Sequence, residues 1–166
     1  MNFSEMIKII DNFLPEKEFL NIKNLMEGSE FPWSFNNSKV RDDDGKVQFT
    51  HTFFKYKKGR NSDWLNLWNN LMKKIEAKEC YRIKANLTLK TLSHEVTGWH
   101  TDNTDPSLKT SIFYINTNNG YTEFENGVRI ESVSNRICVF DSNLMHRGVG
   151  HTIPDTYRIV VNFNYS

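Results

Sequence analysis

The chain has 166 residues, a net charge of +1, and ordinary apolar (38%) and charged (25%) fractions. That length fits one domain, residues 1–166, with a sizeable core, and the near-neutral charge argues against an extended, non-specific grip on a nucleic-acid backbone. No apolar run approaches the ~20 residues that span a bilayer, and the opening Met1-Asn2-Phe3-Ser4-Glu5 lacks the basic and apolar regions of a secretory signal.

Met6 to Asp11 reads as a short strand. Pro15, then Glu16, Lys17 and Glu18, suit a helix first turn. Phe19, Ile22, Leu25 and Met26 recur at three- and four-residue spacing along one helical face, and Gly28 is a plausible stop. Phe31 to Phe35 is aromatic and extended, and Arg41 to Lys46 is a charged turn reversing at Asp44-Gly45. Val47 to Tyr56 alternates and is rich in β-formers, so it is expected as a strand. Lys57-Lys58-Gly59-Arg60 follows as a basic loop. Asn61 or Ser62 could cap a second helix, with Trp64, Leu65, Trp68, Leu71, Met72 and Ile75 on its apolar stripe.

After Glu79 the apolar period changes to two. Strands are expected at Arg82–Thr91, Lys109–Asn116, Tyr121–Glu125, Val128–Val133, Arg136–Phe140 and Tyr157–Tyr165, with Asn, Gly and Pro turn signals between them. Many short, evenly spaced strands after two helices predict a mainly β chain with helices (α+β). The expected architecture is a double-sheet jelly roll whose two N-terminal-half helices buttress one sheet, with the buttress mainly in 1–79 and the jelly-roll core mainly in 80–166. Cys80 and Cys138 are far apart and outside any CxxC pair. They read as reduced, buried small side chains, which places the protein in the cytoplasm.

The chemistry is expected around Trp99-His100-Thr101-Asp102. Residues two apart in an extended segment point the same way, so His100 and Asp102 can face one metal ion. His146, just after the buried Val139-Phe140-Asp141, could complete a facial triad with open positions, a ligand set suited to non-haem Fe(II) oxygen chemistry. Arg158 opens the apolar terminal strand, where its guanidinium needs an anionic partner and its fork suits a carboxylate. Tyr114 lies inside another apolar strand, where its hydroxyl needs a partner.

These residues occur within GWHTD (98–102), SIFYINTNNGYTEF (111–124), FDSNLMHRG (140–148) and YRIVVNFNY (157–165). In that order they resemble the Fe(II)/2-oxoglutarate-dependent oxygenases, in the prolyl 4-hydroxylase-like branch. The resemblance runs from about Cys80 to Ser166, and the opening IIDNFLPEKEF is similar to the start of small bacterial and phage-type members. It implies a double-stranded β-helix with Fe(II), 2-oxoglutarate and O2 as cofactor and co-substrates. His100, Asp102 and His146 would be both the metal ligands and the catalytic centre. Arg158, Asn162 and Tyr114 would hold the distal carboxylate of 2-oxoglutarate, and Ile112 and Thr122 would line its pocket. The implied reaction hydroxylates a C–H bond, of a peptidyl prolyl or other side chain, releasing succinate and CO2; a phage-encoded member would work in the host cytoplasm.

Three alternatives remain at this stage. One is the same chemistry on a nucleic acid or small molecule. Nucleic-acid demethylases of this group carry RxNxTxR, whereas here Arg158 is followed at those offsets by Val160, Asn162 and Asn164, so the second arginine is missing. The others are a cupin-like metal enzyme without 2-oxoglutarate, and a non-catalytic jelly-roll binding module. Lys90 stands where related sequences often carry a co-substrate tyrosine. His51 is expected as a core or rim residue, and His94 and His151 as loop residues. Arg147 is expected in a surface or salt-bridge role, and Trp99 under the metal-bearing segment or in a substrate wall. The basic loop Lys57–Arg60 could flank the mouth and draw an anionic substrate. Substrate identity and oligomeric state are not readable from these patterns.

Overall fold

The computed structural model describes residues 7–37, 46–60 and 62–166. The expected turn at Arg41–Lys46, the first residue of the Met6–Asp11 strand and Asn61 fall outside them, apart from Lys46 itself.

Strand β1 (Ile7–Ile10) leads into helix α1 (Glu16–Glu27). Glu16 and Glu18 in the first turn complement the helix dipole. Phe19, Ile22 and Met26 are buried, and the Gly28 N–H donates to the Leu25 carbonyl as the helix ends. After β2 (Ser34–Asn36), β3 (Gln48–Lys55) and β4 (Gly59–Arg60), the second helical segment departs from expectation. It starts as a 3-10 helix (Asp63–Trp68) and becomes α2 (Asn69–Lys74) only at its second half. Ser62 Oγ accepts from the Trp64 N–H at 3.1 Å, which fixes the tight start.

The remaining strands are β5 (Cys80–Leu89), β6 (Lys109–Tyr114), β7 (Tyr121–Phe124), β8 (Arg129–Glu131), β9 (Arg136–Asp141), β10 (His146–Val149) and β11 (Tyr157–Tyr165). All pair antiparallel. The major sheet runs β1-β9-β6-β11-β5-β3-β2 with β4 attached to β3, and the minor sheet runs β10-β7-β8. This is the double-sheet jelly roll expected from the period-two pattern, with β10 as an additional strand and the end of the expected basic loop, Gly59–Arg60, paired to β3 as β4.

Alternation along the strands sorts the side chains into two layers. Ile83 and Ala85 of β5, Phe113 of β6, and Ile159, Val161 and Phe163 of β11 face the helices and form the larger core with Phe19, Ile22, Met26, Trp68 and Leu71. Trp68 is fully enclosed and meets Phe53 and Phe163 edge-on at centroid distances of 5.3 and 5.2 Å. The opposite face of the same strands carries Ile112, Tyr114 and Val160, which pack with Phe124, Ile130 and Phe140 in a second core between the sheets. Beyond this second core the interior becomes polar. Cys80 is half-buried and Cys138 buried, both free, and burial pushes their thiols up to about 11 and about 12. No helix among the described residues is long and apolar enough to cross a membrane.

Candidate active site

His100 and His146 sit opposite one another in an isolated antiparallel bridge. The His100 N–H donates to the His146 carbonyl at 3.0 Å, and the His146 N–H returns the bond at 2.9 Å. This exchange ties the segment before β6 to the first residue of β10. Each imidazole also donates from Nδ1 to a carbonyl two residues back: His100 to Gly98 at 3.0 Å, His146 to Leu144 at 2.9 Å. A carbonyl can only accept, so both rings keep Nε2 as the free lone pair. One ligand atom each from His100, Asp102 and His146 lies within 4.8 Å of the others. Two neutral imidazoles with fixed tautomers and one carboxylate suit a divalent first-row ion, and the pocket beside them leaves room for further ligands.

Asp102 is held by partners that sequence spacing does not reveal. Thr110 Oγ1 and Asn164 Nδ2 donate to Oδ2 at 2.9 and 3.0 Å, and an Arg82 guanidinium nitrogen lies 3.8 Å from Oδ1. Burial alone would raise this carboxyl's pKa. The charges of His146 and Arg82 and the Asn164 and Thr110 hydrogen bonds outweigh burial and hold it below the usual carboxylate range. His146 moves down from the ordinary histidine value because burial disfavours its cation more than Asp102 favours it. Both groups are therefore in the ligating state at neutral pH. Asn164→Leu should weaken metal affinity by about 10–100-fold while leaving the fold intact, the range typical for outer partners of metal ligands. Metal titration beside a thermal melt checks it.

The three ligands line one part of a cavity of about 390 Å³, and Arg158 lies elsewhere on its wall. Arg158 is 7% exposed. Its Nε donates to Ser132 Oγ at 2.9 Å, and its guanidinium carbon stands 5.8 Å from the Tyr114 ring centroid. Burial depresses its pKa, but a guanidinium stays protonated. No carboxylate pairs with it among the described residues. Beside it, Thr88, the direct β-partner of Arg158, has a buried Oγ1 without a hydrogen-bond partner; four residues along β11, Asn162 Oδ1 is likewise buried and unpartnered. A buried cation next to an unsatisfied hydroxyl in a cavity wall is a site prepared for an anion.

Gly120 protects that arrangement. A Cβ there would stand 2.7 Å from Arg158 Cδ and 2.9 Å from both Asn118 Oδ1 and the Val149 carbonyl oxygen. The carbonyl cannot step aside, so Arg158 must. Gly120→Ala should therefore weaken dicarboxylate binding by about tenfold, as overpacking costs ~1–3 kcal/mol, with metal affinity unchanged. Parallel metal and 2-oxoglutarate titrations separate the two effects.

Of the residues expected at the site, His100, Asp102, His146, Arg158, Asn162, Ile112 and Thr122 all line this cavity. Tyr114 does not. It is fully buried behind Thr122, and its hydroxyl donates to Thr122 Oγ1 at 2.8 Å. Lys90 is exposed beyond the end of β5, and the cavity-facing residue of that region is Thr88. His51 bridges the Pro32 carbonyl (3.0 Å) and Ser62 Oγ (2.8 Å), as a structural histidine does. His94 is exposed and bonded to the Gly150 carbonyl. His151 is in a loop as expected but fully enclosed, with neither ring nitrogen partnered. Arg147 lies over Trp99 at 4.3 Å and pairs with Glu123, its Nε donating to Oε2 at 2.8 Å.

No protein-family model and no curated protein matches the chain. Solved structures do. A Pseudomonas putida prolyl-4-hydroxylase superposes with a TM-score of 0.63 at 14% identity, covering 96% of this chain and 92% of the other. An oxidoreductase of the 2OG-Fe(II) oxygenase family from Burkholderia pseudomallei gives 0.69 at 11% identity, over 99% and 86%. A prolyl hydroxylase in complex with a hypoxia inducible factor oxygen degradation domain peptide fragment, from Trichoplax adhaerens, gives 0.65 at 15% identity, over 98% and 84%. The fold is that of the 2-oxoglutarate/Fe(II) oxygenases. At these identities the likeness concerns this oxygenase fold alone, and the residues of the cavity must speak for the chemistry.

Proposed function

We propose that this protein is an Fe(II)- and 2-oxoglutarate-dependent dioxygenase that hydroxylates a C–H bond of a peptidyl prolyl or other side chain. One observation carries the reading. The ligand atoms of His100, Asp102 and His146 converge within 4.8 Å, in the same cavity where the buried Arg158 pairs with no carboxylate among the described residues. A cupin-like metal enzyme without a dicarboxylate gives that guanidinium no task, and a passive binding module explains neither end. The two prolyl hydroxylases of like fold, one of them bound to a peptide, favour a peptide substrate.

His100, Asp102 and His146 would hold Fe(II), and the hydrogen bonds at Nδ1 and Oδ2 would keep the three donors aimed. When bound with 2-oxoglutarate and O2, the iron supplies the oxidation of a C–H bond, with succinate and CO2 as co-products. Arg158 would take the distal carboxylate of 2-oxoglutarate as a forked, charge-assisted pair. Thr88 would complete that end, its hydroxyl donating to the same carboxylate, while Asn162 stands four residues along β11, opposite Lys84. Ile112 and Val160 form apolar wall between the two ends. They exclude water along the co-substrate and strengthen the electrostatics inside. Tyr114 would act through Thr122 rather than by contact, holding that hydroxyl in place.

Succinate release tests the activity. Purified protein with Fe(II), ascorbate and 2-oxoglutarate is screened against peptide, nucleic-acid and small-molecule pools. A peptide pool that raises succinate formation, with product gaining one oxygen atom, supports the reading. Succinate stimulated by the other pools alone moves the substrate class, and no Fe(II)-dependent succinate with any pool removes the reaction.

A further inference from the structure

Two cations on the cavity wall have no part in co-substrate binding above, and Arg82 acts there only on Asp102. Arg82 and Lys84 occupy the interior-facing positions of β5, two residues apart, and both line the cavity with the metal ligands. Across the ladder, Lys55 of β3 pairs directly with Arg82. Three like charges share one corner of the sheet. Lys84 is half-buried and has no hydrogen bond or ion pair among the described residues. Burial, then the charges of Arg82 and Lys55, push its ammonium below the ordinary lysine value. Among the described residues Arg82 keeps a buried Nε without a partner, and its one ion pair is with Asp102, at 3.8 Å. Like charges side by side on a sheet, partly out of water, destabilise the empty protein. Such an arrangement is relieved when an anion binds.

The co-substrate is not that anion. Thr88 stands opposite Arg158, whereas Lys84 stands opposite Asn162 and Arg82 opposite Asn164. Four residues of strand separate Thr88 from Lys84, about 13 Å at ~3.3 Å per residue. A five-carbon diacid reaches about 5 Å between its carboxyl carbons, given bonds of ~1.5 Å. A dicarboxylate anchored at Arg158 therefore keeps its distal carboxylate away from this corner, and its other end faces the ligand triad. Its charge is also spent: a divalent ion, the Asp102 carboxylate, the dicarboxylate and the Arg158 guanidinium together sum to zero. Glu95, the other carboxylate of the lining, lies by the opposite wall, its backbone carbonyl accepting from the Gly150 N–H at 2.8 Å.

We propose that Arg82 and Lys84 form an anion subsite for the substrate, receiving a carboxylate or phosphoryl group of the molecule that is oxidised. The subsite lies at the metal end of the cavity, next to the arginine that touches Asp102, so an anion there holds the rest of the substrate beside the ligand triad. The fork of Arg82 and the mobile ammonium of Lys84 together suit an oxyanion with several acceptor oxygens. The inference rests on the oxygenase reading for its name as a substrate subsite, and on β5 alone for its charge.

Calorimetric titration of inorganic phosphate and of acetate tests it, using protein loaded with Mn(II) and 2-oxoglutarate so that Arg158 and the triad are already engaged. At least one anion should bind wild type, and Lys84→Met and Arg82→Met should each weaken it tenfold or more. Lys84→Arg should retain it, and Lys84→Gln serves if Lys84→Met melts early. The anion that binds tighter identifies carboxylate or phosphoryl as the group. Binding of neither anion overturns the proposal, as does equal affinity in wild type and Lys84→Met. A protein that fails to load with Mn(II) and 2-oxoglutarate sinks the oxygenase reading instead. In that case the same anions are titrated into metal-free Arg158→Met, where loss of binding on adding Lys84→Met supports the charge subsite and no loss overturns it.

Discussion

Asp102→Ala should reduce Fe(II) affinity by more than ~100-fold, beyond what outer partners of a metal ligand contribute, and should abolish Fe(II)-dependent succinate formation. Asp102 is the anionic member of the triad; His100 and His146 contribute neutral lone pairs. Its loss removes a ligand bond and the charge that offsets the cation. It also strands the Thr110 and Asn164 donors and leaves Arg82 beside Lys84 and Lys55 without the Asp102 carboxylate. Asp102→Asn separates these effects, because an amide oxygen can still accept the two hydrogen bonds while the charge is gone. Both variants should lose metal, and the asparagine variant should keep more stability. The pH sign follows from the depressed pKa of Asp102. In metal-free wild type, the stabilisation from ionised Asp102 is present above the unfolded carboxyl pKa of ~3.9. It is lost as pH falls through the lower folded value. Equilibrium dialysis of Fe(II) under nitrogen and thermal melts across pH 2–7 read the two parts. Unchanged metal affinity in Asp102→Ala would remove the aspartate from the ligand set.

Arg158→Met should weaken 2-oxoglutarate binding by about 10²–10³-fold, with metal affinity kept. Methionine preserves much of the buried volume and removes the fork. Breaking a buried, charge-assisted pair costs ~3–5 kcal/mol, and ~1.4 kcal/mol is tenfold in affinity. The remaining Thr88 hydroxyl is neutral and cannot replace the charge. Arg158→Lys should fall between, since an ammonium supplies charge without the planar fork. The empty protein is a useful control: Arg158 has no internal carboxylate among the described residues, so its removal leaves no buried acid exposed. Arg158→Met should therefore melt close to wild type even as co-substrate affinity collapses. An unchanged affinity would place the dicarboxylate elsewhere.

Much of this was readable because strand alternation is strict. Ile159, Val161 and Phe163 face one way, and Arg158, Asn162 and Asn164 the other, which is visible as apolar and polar residues taking turns. The alternation does not say what a polar face meets: on β5 Arg82, Lys84, Asn86 and Thr88 line the cavity between the sheets, which only the packing of the second sheet reveals. β10 was not expected because His146-Arg147-Gly148-Val149 is four residues long and contains a glycine that strand propensity disfavours. Asn164 was invisible as a partner of Asp102 because 62 residues separate them and only the register of β11 brings them together. His151 was rightly placed in a loop, but glycine-rich flanks carry no signal that the ring is enclosed. Tyr114 was expected to reach the co-substrate, but Thr122, eight residues later, accepts from its hydroxyl.

The central claim is that the triad and Arg158 bind a metal ion and a 2-oxo dicarboxylate together. Anaerobic absorption spectroscopy tests it most directly: Fe(II) is added to the apoprotein, then 2-oxoglutarate is titrated in. A weak visible charge-transfer band should grow with 2-oxoglutarate in wild type, be absent in Asp102→Ala, and need about 10²–10³-fold more 2-oxoglutarate in Arg158→Met. Wild-type protein that takes up no Fe(II) and shows no band would contradict it.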